Sequence, residues 1–566
     1  MGLLIGLISL MASAGASFAL SRVGLTRRLA LLATLAAAVA TVGVISDPIM
    51  LTADEPIATI GAVPLWWPMA PDLSERALVV GLLLSSTIGL LALTLATPST
   101  AEGFGTLFGW LLLALTAACI SLTVPPLSFL TPLSWTVAIL AAHGALLSSG
   151  ITPQPDQLPP HLVAGAGAIA AVSGIIAITA LLPADTLPAP ILVVIALVGA
   201  LAIAGAPPFA MIRLGLATAP GLISALTVGL ILPTIGLGFI VRLLTQLPPL
   251  PAPISTILAA IGTIGALGAA IGALRSGSGR ELVLWQGALQ AGVIVCAAAI
   301  SDPLTSLAAP ALLLALQLHA IAGGLLVTAM EQHQGSDTLD GSPGRVALPL
   351  TGVLWFFTTA TATGLPLVWS FWGWRWLIEA SANRLVWIIA PLIAAAVISL
   401  GAGLPLLIRC WYGKTRKRDI GPETILAGLS LTPLVLAGLV PWLAWPLWLS
   451  WSPSAPPVLP ADPIAWPFVS LALGVGIGGW LLARWANQLP PASDRDQTVI
   501  PTWQGVGELL HGLTETASAQ ATIAILSRGL NRVASILQFA MIIFEQRYYL
   551  FGVIIALLAI LILMAQ

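Results

Sequence analysis

Chemistry inside an apolar medium needs ionisable side chains, and this 566-residue sequence offers few. The candidates among them are His143, Arg242, His319, Glu331, Arg375 and Glu379. A charge in hydrocarbon is costly, so such residues mark ion paths, proton relays or buried pairs. His319 lies well inside its run, in Leu316-Gln317-Leu318-His319-Ala320. Histidine titrates near neutral pH, so His319 reads equally as a proton carrier or as a hydrogen-bonded core residue. His143 lies near a run end and reads as structural. Arg375 and Glu379 are four residues apart, which puts both on one helical face where they could pair. That pair, Arg242 and Glu331 stand at run ends and read as interfacial. With the amide of Gln290, the set His319, His143, Arg375 and Glu379 makes up the candidate ion path.

The elements that must position these residues follow from composition. The chain is 58% hydrophobic and 8% charged, whereas a soluble domain carries roughly 25% charged residues. Apolar stretches near 20 residues recur along almost the whole length, each able to cross a hydrocarbon core of about 30 Å. This is an all-α polytopic membrane protein of about 14–16 spans. The runs fall near 2–20, 29–46, 77–97, 104–123, 127–149, 161–183, 188–212, 218–243, 252–274, 283–300, 303–330, 346–374, 385–408, 421–450, 463–483 and 548–565. The composition excludes a soluble enzyme and a secreted disulfide scaffold. The net charge of −1 gives no basic surface for nucleic acid. Cys119, Cys296 and Cys410 are far apart, with no C-x-x-C, so no metal or iron–sulfur site is expected. No nucleotide or flavin motif is present, and no cofactor is expected on this chain.

Basic residues set the orientation. Arg22, Arg27 and Arg28, then Arg275 and Arg280, then Arg409 to Arg418 fall on one face, assigned to the cytoplasm. Both termini then lie outside, in a multi-pass protein of a bacterial inner membrane. The first run has no basic segment before it and reads as a retained helix. Gly205, Pro207, Pro208, Pro233, Gly364 and Pro366 sit inside apolar runs. They are expected helix breaks, or packing kinks, and breaks are tolerated only where protein or a water cavity satisfies the freed backbone. Fifteen of the twenty tryptophans lie between Trp355 and Trp503; Trp442, Trp445, Trp448 and Trp451 suit an interfacial belt. Residues 503–545 mix leucine and isoleucine with charge, as an amphipathic helix on a membrane or a partner does.

Several segments, in order, resemble the antiporter-like membrane subunits of respiratory complex I, a family that includes subunits of multisubunit sodium/proton antiporters and membrane-bound hydrogenases. They are Asp72-Leu73-Ser74, then Gly205-Ala206-Pro207-Pro208-Phe209, Ala219-Pro220 with Ser224-Ala225-Leu226, and Gly236 to Arg242. Arg280 to Trp285, Gln290-Ala291-Gly292, His319-Ala320 and Gly364-Leu365-Pro366 with Ser370 to Gly373 follow. The resemblance covers roughly residues 60–410. It implies two inverted five-helix repeats, at 101–250 and 251–420. N-terminal helices and an external loop (1–100) would precede them. Further helices (421–484) and an amphipathic segment with a last span (485–566) would follow. It also implies neighbouring membrane subunits, the lipid bilayer around them, and redox chemistry on other chains of an NADH:quinone oxidoreductase-type translocase. Contact with quinone cannot be read from the chain.

The departures from the family are in its proton machinery. Its glutamate belongs in the fifth run, but no acidic residue occurs between Glu102 and Asp156. Its lysines fall at Ile203, Thr234, Gly323 and Trp374, and only Lys414 and Lys417 exist in the whole chain. Arginine stays charged and carries no proton. Three readings stand. The chain is a divergent membrane-arm subunit with a structural or coupling role; or it moves ions by a rewired path through His319; or it is an unrelated polytopic carrier or lipid-handling enzyme.

Overall fold

The computed structural model describes residues 2–21, 26–46, 58–60, 63–65, 73–96, 104–149 without 127 and 129, 190–210, 221–246, 252–334 without 301, 349–411 without 366, 367 and 369, 429–435, and isolated positions elsewhere. The chain divides into two units at Pro490 and Pro491, and the described residues all lie in the first. Most of the runs 161–183, 421–450 and 463–483, with the amphipathic stretch, the last span, Lys414, Lys417 and Pro366, lie outside the described residues.

The helices, in order, are α1 (Gly2–Leu20), α2 (Thr26–Ser46), α3 (Leu73–Ala96), α4 (Phe104–Thr123), α5 (Leu130–Ser148) and α6 (Pro190–Ala204). Next comes α7, continuous through Gly221–Ser224, Ala225–Ile231 and Leu232–Gln246. Then follow α8 (Ala252–Leu274), α9 (Gly279–Ala299), α10 (Pro303–Gln334), α11 (Pro349–Thr363), α12 (Ser370–Arg384) and α13 (Ile389–Trp411). A two-stranded antiparallel hairpin, β1 (Ala58–Ile60) with β2 (Val63–Leu65), sits between α2 and α3. Ten of these helices are long and apolar enough to cross a membrane.

Helix α10 is the centre of the bundle. It packs against α3 and α7 on one side and against α9, α11 and α12 on the other. It continues through Pro310. Around it, glycines let backbones approach. A Cβ on Gly324 would stand 2.3 Å from Ala225 Cβ, and one on Gly221 would stand 2.6 Å from Val327. Close packing of small residues is how helices associate where lipid removes the hydrophobic drive between them. Gly262 of α8 and Gly292 of α9 meet in the same way; a Cβ on Gly262 would lie 2.6 Å from the Gly292 carbonyl oxygen and 2.9 Å from the Cys296 nitrogen. Both are backbone atoms and cannot rotate away. Gly262→Ala should therefore cost about 1–3 kcal/mol through forced separation of α8 from α9. Thermal unfolding of the purified chain checks it, and an unchanged midpoint would refute the contact.

The run 346–374 forms two helices. It divides into α11 and α12 at Gly364, whose φ of 73° is left-handed; the Gly364 and Leu365 N–H groups both donate to the Ala360 carbonyl and close the helix end. Pro233, expected as a break, lies inside the continuous α7. The seven residues before Leu232 are π-helical, and the Leu232 N–H donates to Thr227, five residues back. Proline has no N–H and crowds the preceding turn; the wider π turn gives it room. At the other break, α6 ends at Ala204, Gly205 has φ 55°, and a cis bond joins Pro207 to Pro208.

Candidate functional site

His319 is fully buried on α10. Its Nδ1 lies 3.0 Å from the Thr358 carbonyl of α11, and its Nε2 lies 3.4 Å from the Val283 carbonyl of α9. Beside it, Gln286 and Gln290 share one face of α9, one turn apart. The Gln286 amide donates to Thr359 Oγ1 at 3.3 Å, and the Gln290 amide donates to the Thr361 carbonyl at 3.0 Å. The second bond has a local cause. The last carbonyls of α11 lose their helical partners where Gly364 turns the chain, and a buried carbonyl must be paired. Thr358, Thr361 and Thr363 donate their hydroxyls back to Leu354, Phe357 and Thr359. The amide oxygens of Gln286 and Gln290 are buried and accept no hydrogen bond. Here α9, α10 and α11 enclose a seam of neutral polar groups.

The opposite face of α10 carries Gln317, also fully buried. Its amide donates to the Leu78 carbonyl of α3 at 3.2 Å and to Thr234 Oγ1 of α7 at 3.3 Å. Gly81 makes room for it, since a Cβ there would stand 2.4 Å from Gln317 Oε1.

The four positions where the resembled family has lysine are filled by packing. Ile203 is 1% exposed and lies in the core of α6. Thr234 is hydrogen-bonded to Gln317. Gly323 is pressed by Val283, whose two methyls would each be 2.7 Å from a Cβ. Trp374 packs against Gly364, where a Cβ would stand 2.4 Å from its Cδ1. All four positions are thus packed or hydrogen-bonded by neutral groups.

The remaining candidates fall elsewhere. Arg375 and Arg242, read as interfacial, are 1% and 5% exposed. Arg375 lies over the Trp372 ring, its Cζ 5.3 Å from the centroid, a cation–π arrangement. Glu379 is half-buried, and its Oε2 accepts no hydrogen bond. Arg242 donates from Nη1 to the Ser121 carbonyl at 2.9 Å and from Nη2 to the Val124 carbonyl at 2.7 Å. It thereby closes the C-terminal end of α4, where carbonyls lack partners and a cation is favoured. Glu331 pairs with Arg280, and its second oxygen accepts from the Gly221 N–H at 3.4 Å, which ties the ends of α9, α10 and α7. His143, on α5, bonds its own helix at the Ile139 carbonyl, 2.7 Å away. His319 and Gln290 thus both reach α11, at Thr358 and Thr361, while His143 bonds within α5. Sequence reasoning passed over Gln286, Gln317, Thr358 and Thr361. The spacing of Gln286 and Gln290 was the one available signal, two amides four apart in an apolar helix. Among the described residues, no three of His, Cys, Asp and Glu come together as metal ligands do.

No protein-family model and no curated protein matches the sequence. Solved structures do resemble it. A chain of the Mrp complex from Dietzia sp. superposes with a TM-score of 0.67 at 17% identity, covering 95% of this chain and 63% of that one. This chain therefore spans less than two thirds of that subunit's length. A chain of the membrane-bound sulfane sulfur reductase, an archaeal respiratory membrane complex, superposes at 0.63 with 17% identity, covering 86% of this chain and 99% of that one. A chain of respiratory complex I from Thermus thermophilus superposes at 0.64 with 19% identity, covering 85% and 100%. With its ten apolar helices, this chain is a multi-pass membrane protein that has the antiporter-like fold of complex I-type membrane subunits.

Proposed function

We propose that the chain is a membrane-arm subunit of an Mrp-like or complex I-like assembly, with a structural or coupling role in place of proton pumping by the glutamate–lysine route. The observation that carries this is the filling of Ile203, Thr234, Gly323 and Trp374 by packed or hydrogen-bonded side chains. A proton path needs groups that titrate and switch partners. This seam holds amides and hydroxyls, with His319 beside them at the Thr358 carbonyl. Its partners are other membrane subunits, and any redox step takes place on other chains. The host membrane is a bacterial inner membrane, with both termini outside.

A second reading has one observation in its favour. The unpaired amide oxygens of Gln286 and Gln290 lie on α9, the helix whose Val283 carbonyl faces the His319 ring, and they could hold water in a rewired path. One experiment separates the two. The purified chain is reconstituted in liposomes with a pH-sensitive dye, and a potassium–valinomycin potential is imposed. Flux equal to that of empty liposomes, in wild type and His319→Ala alike, is expected. Flux present in wild type and lost in His319→Ala would overturn the silent reading and place the path at His319.

A further inference from the structure

Two residues of α10, separated by a single position, hold opposite sides of the bundle. Gln317 bonds α3 through the Leu78 carbonyl and α7 through Thr234. His319 faces the Thr358 carbonyl of α11 and the Val283 carbonyl of α9. Two residues along a helix is a rotation of about 200° and a rise of about 3 Å. The two sets of bonds therefore lie on opposite faces at nearly the same depth.

The rod between them has little freedom to absorb a displacement. On the α7 side, a Cβ on Gly229 would stand 3.3 Å from Ala320, and the Gly324–Ala225 and Gly221–Val327 contacts are tighter. On the α9 side, Gly323 is pressed by Val283. Helices in such contact move together, because packed interiors have discrete arrangements and do not stretch.

We infer that Gln317 and His319 form a two-sided mechanical link, through which a displacement of α9 or α11 is passed across α10 to α3 and α7, the His319 ring N–H donating to the Thr358 or the Val283 carbonyl according to its tautomer. Both are positioning residues. The inference deepens the coupling role proposed above and rests on that reading for its purpose. Its geometry stands apart from any ion flux.

The test is hydrogen exchange on the full chain in lipid nanodiscs, followed in peptides from α3, α7, α11 and, as a control, α1. His319→Leu removes both ring nitrogens. It is expected to speed exchange in α3 about fivefold or more, a shift of the size local opening produces, and to leave α1 within about twofold. In a Gln317→Leu background the same substitution should no longer alter α3, because the far end of the link is already cut. Coupling is reciprocal, so Thr234→Val, nearly the same shape without the hydroxyl, should speed exchange in α11. It serves as the second, milder variant should His319→Leu fold poorly. Exchange in α3 unchanged by His319→Leu, in α11 unchanged by Thr234→Val, or raised equally in α1 would each overturn the link; the last would report general loosening. Proton flux in liposomes would sink the silent reading and leave this result standing, and failure here would leave that reading untouched.

Discussion

Gly323→Lys, which returns a lysine to a position where the resembled family has one, is expected to abolish stable folding and to restore no proton flux. The first atom of the new side chain already meets Val283 Cγ1 and Cγ2 at 2.7 Å. That is well inside normal contact, and Val283 is itself buried. Overpacking of this kind costs typically about 1–3 kcal/mol, and more where neighbours cannot shift. The rest of the side chain would carry an ammonium group into the buried contact with Val283, at a further cost of several kcal/mol unless it loses its proton. The loss should be visible as aggregated material on size exclusion and a midpoint lower by more than about 10 °C, given the few-kcal/mol margin of ordinary domains. Val283→Ala in the same chain removes the two offending methyls and should recover part of the loss. A monodisperse Gly323→Lys protein with a wild-type midpoint would show that position 323 is open. A flux gained by this single change would mean that the rest of a pumping site is intact.

Arg242→Met should be the most damaging single loss of polar contact. The arginine is 5% exposed and carries two short bonds to the carbonyls that end α4. Hydrogen bonds to charged groups contribute about 1.5–3 kcal/mol each. Methionine keeps the volume of the stem but leaves the Ser121 and Val124 carbonyls without that donor. A buried carbonyl so abandoned costs about 1–3 kcal/mol. A total near 3–5 kcal/mol is expected, read as a fall in the unfolding midpoint. Arg242→Lys should recover about half of it, since one ammonium cannot present the planar two-pronged geometry to both carbonyls. A midpoint within about 2 °C of wild type for Arg242→Met would show that the α4 end is held by other groups.

What the sequence by itself determined is largely local. Length and hydropathy marked helices at 2–20, 104–123 and 252–274 to the residue, because a span is fixed by the thickness it must cross and a helix by bonds four residues apart. The absence of lysine outside positions 414 and 417 is a fact of composition, and no folding could undo it. The break at Gly364 was also legible, because glycine alone adopts its left-handed turn without strain. The tertiary structure decided what each buried polar group faces. Gln317 reaches Leu78 across 239 positions and Thr234 across 83. Arg242 reaches Ser121 and Val124 across 121 and 118. A helix that is apolar all round carries no stripe to say which side meets a neighbour. That is why Arg242 and Arg375, at the ends of apolar runs, read as interfacial and prove buried. The same reason explains why the lysine positions could be seen to be empty of lysine, while only the packing showed that they are full of something else.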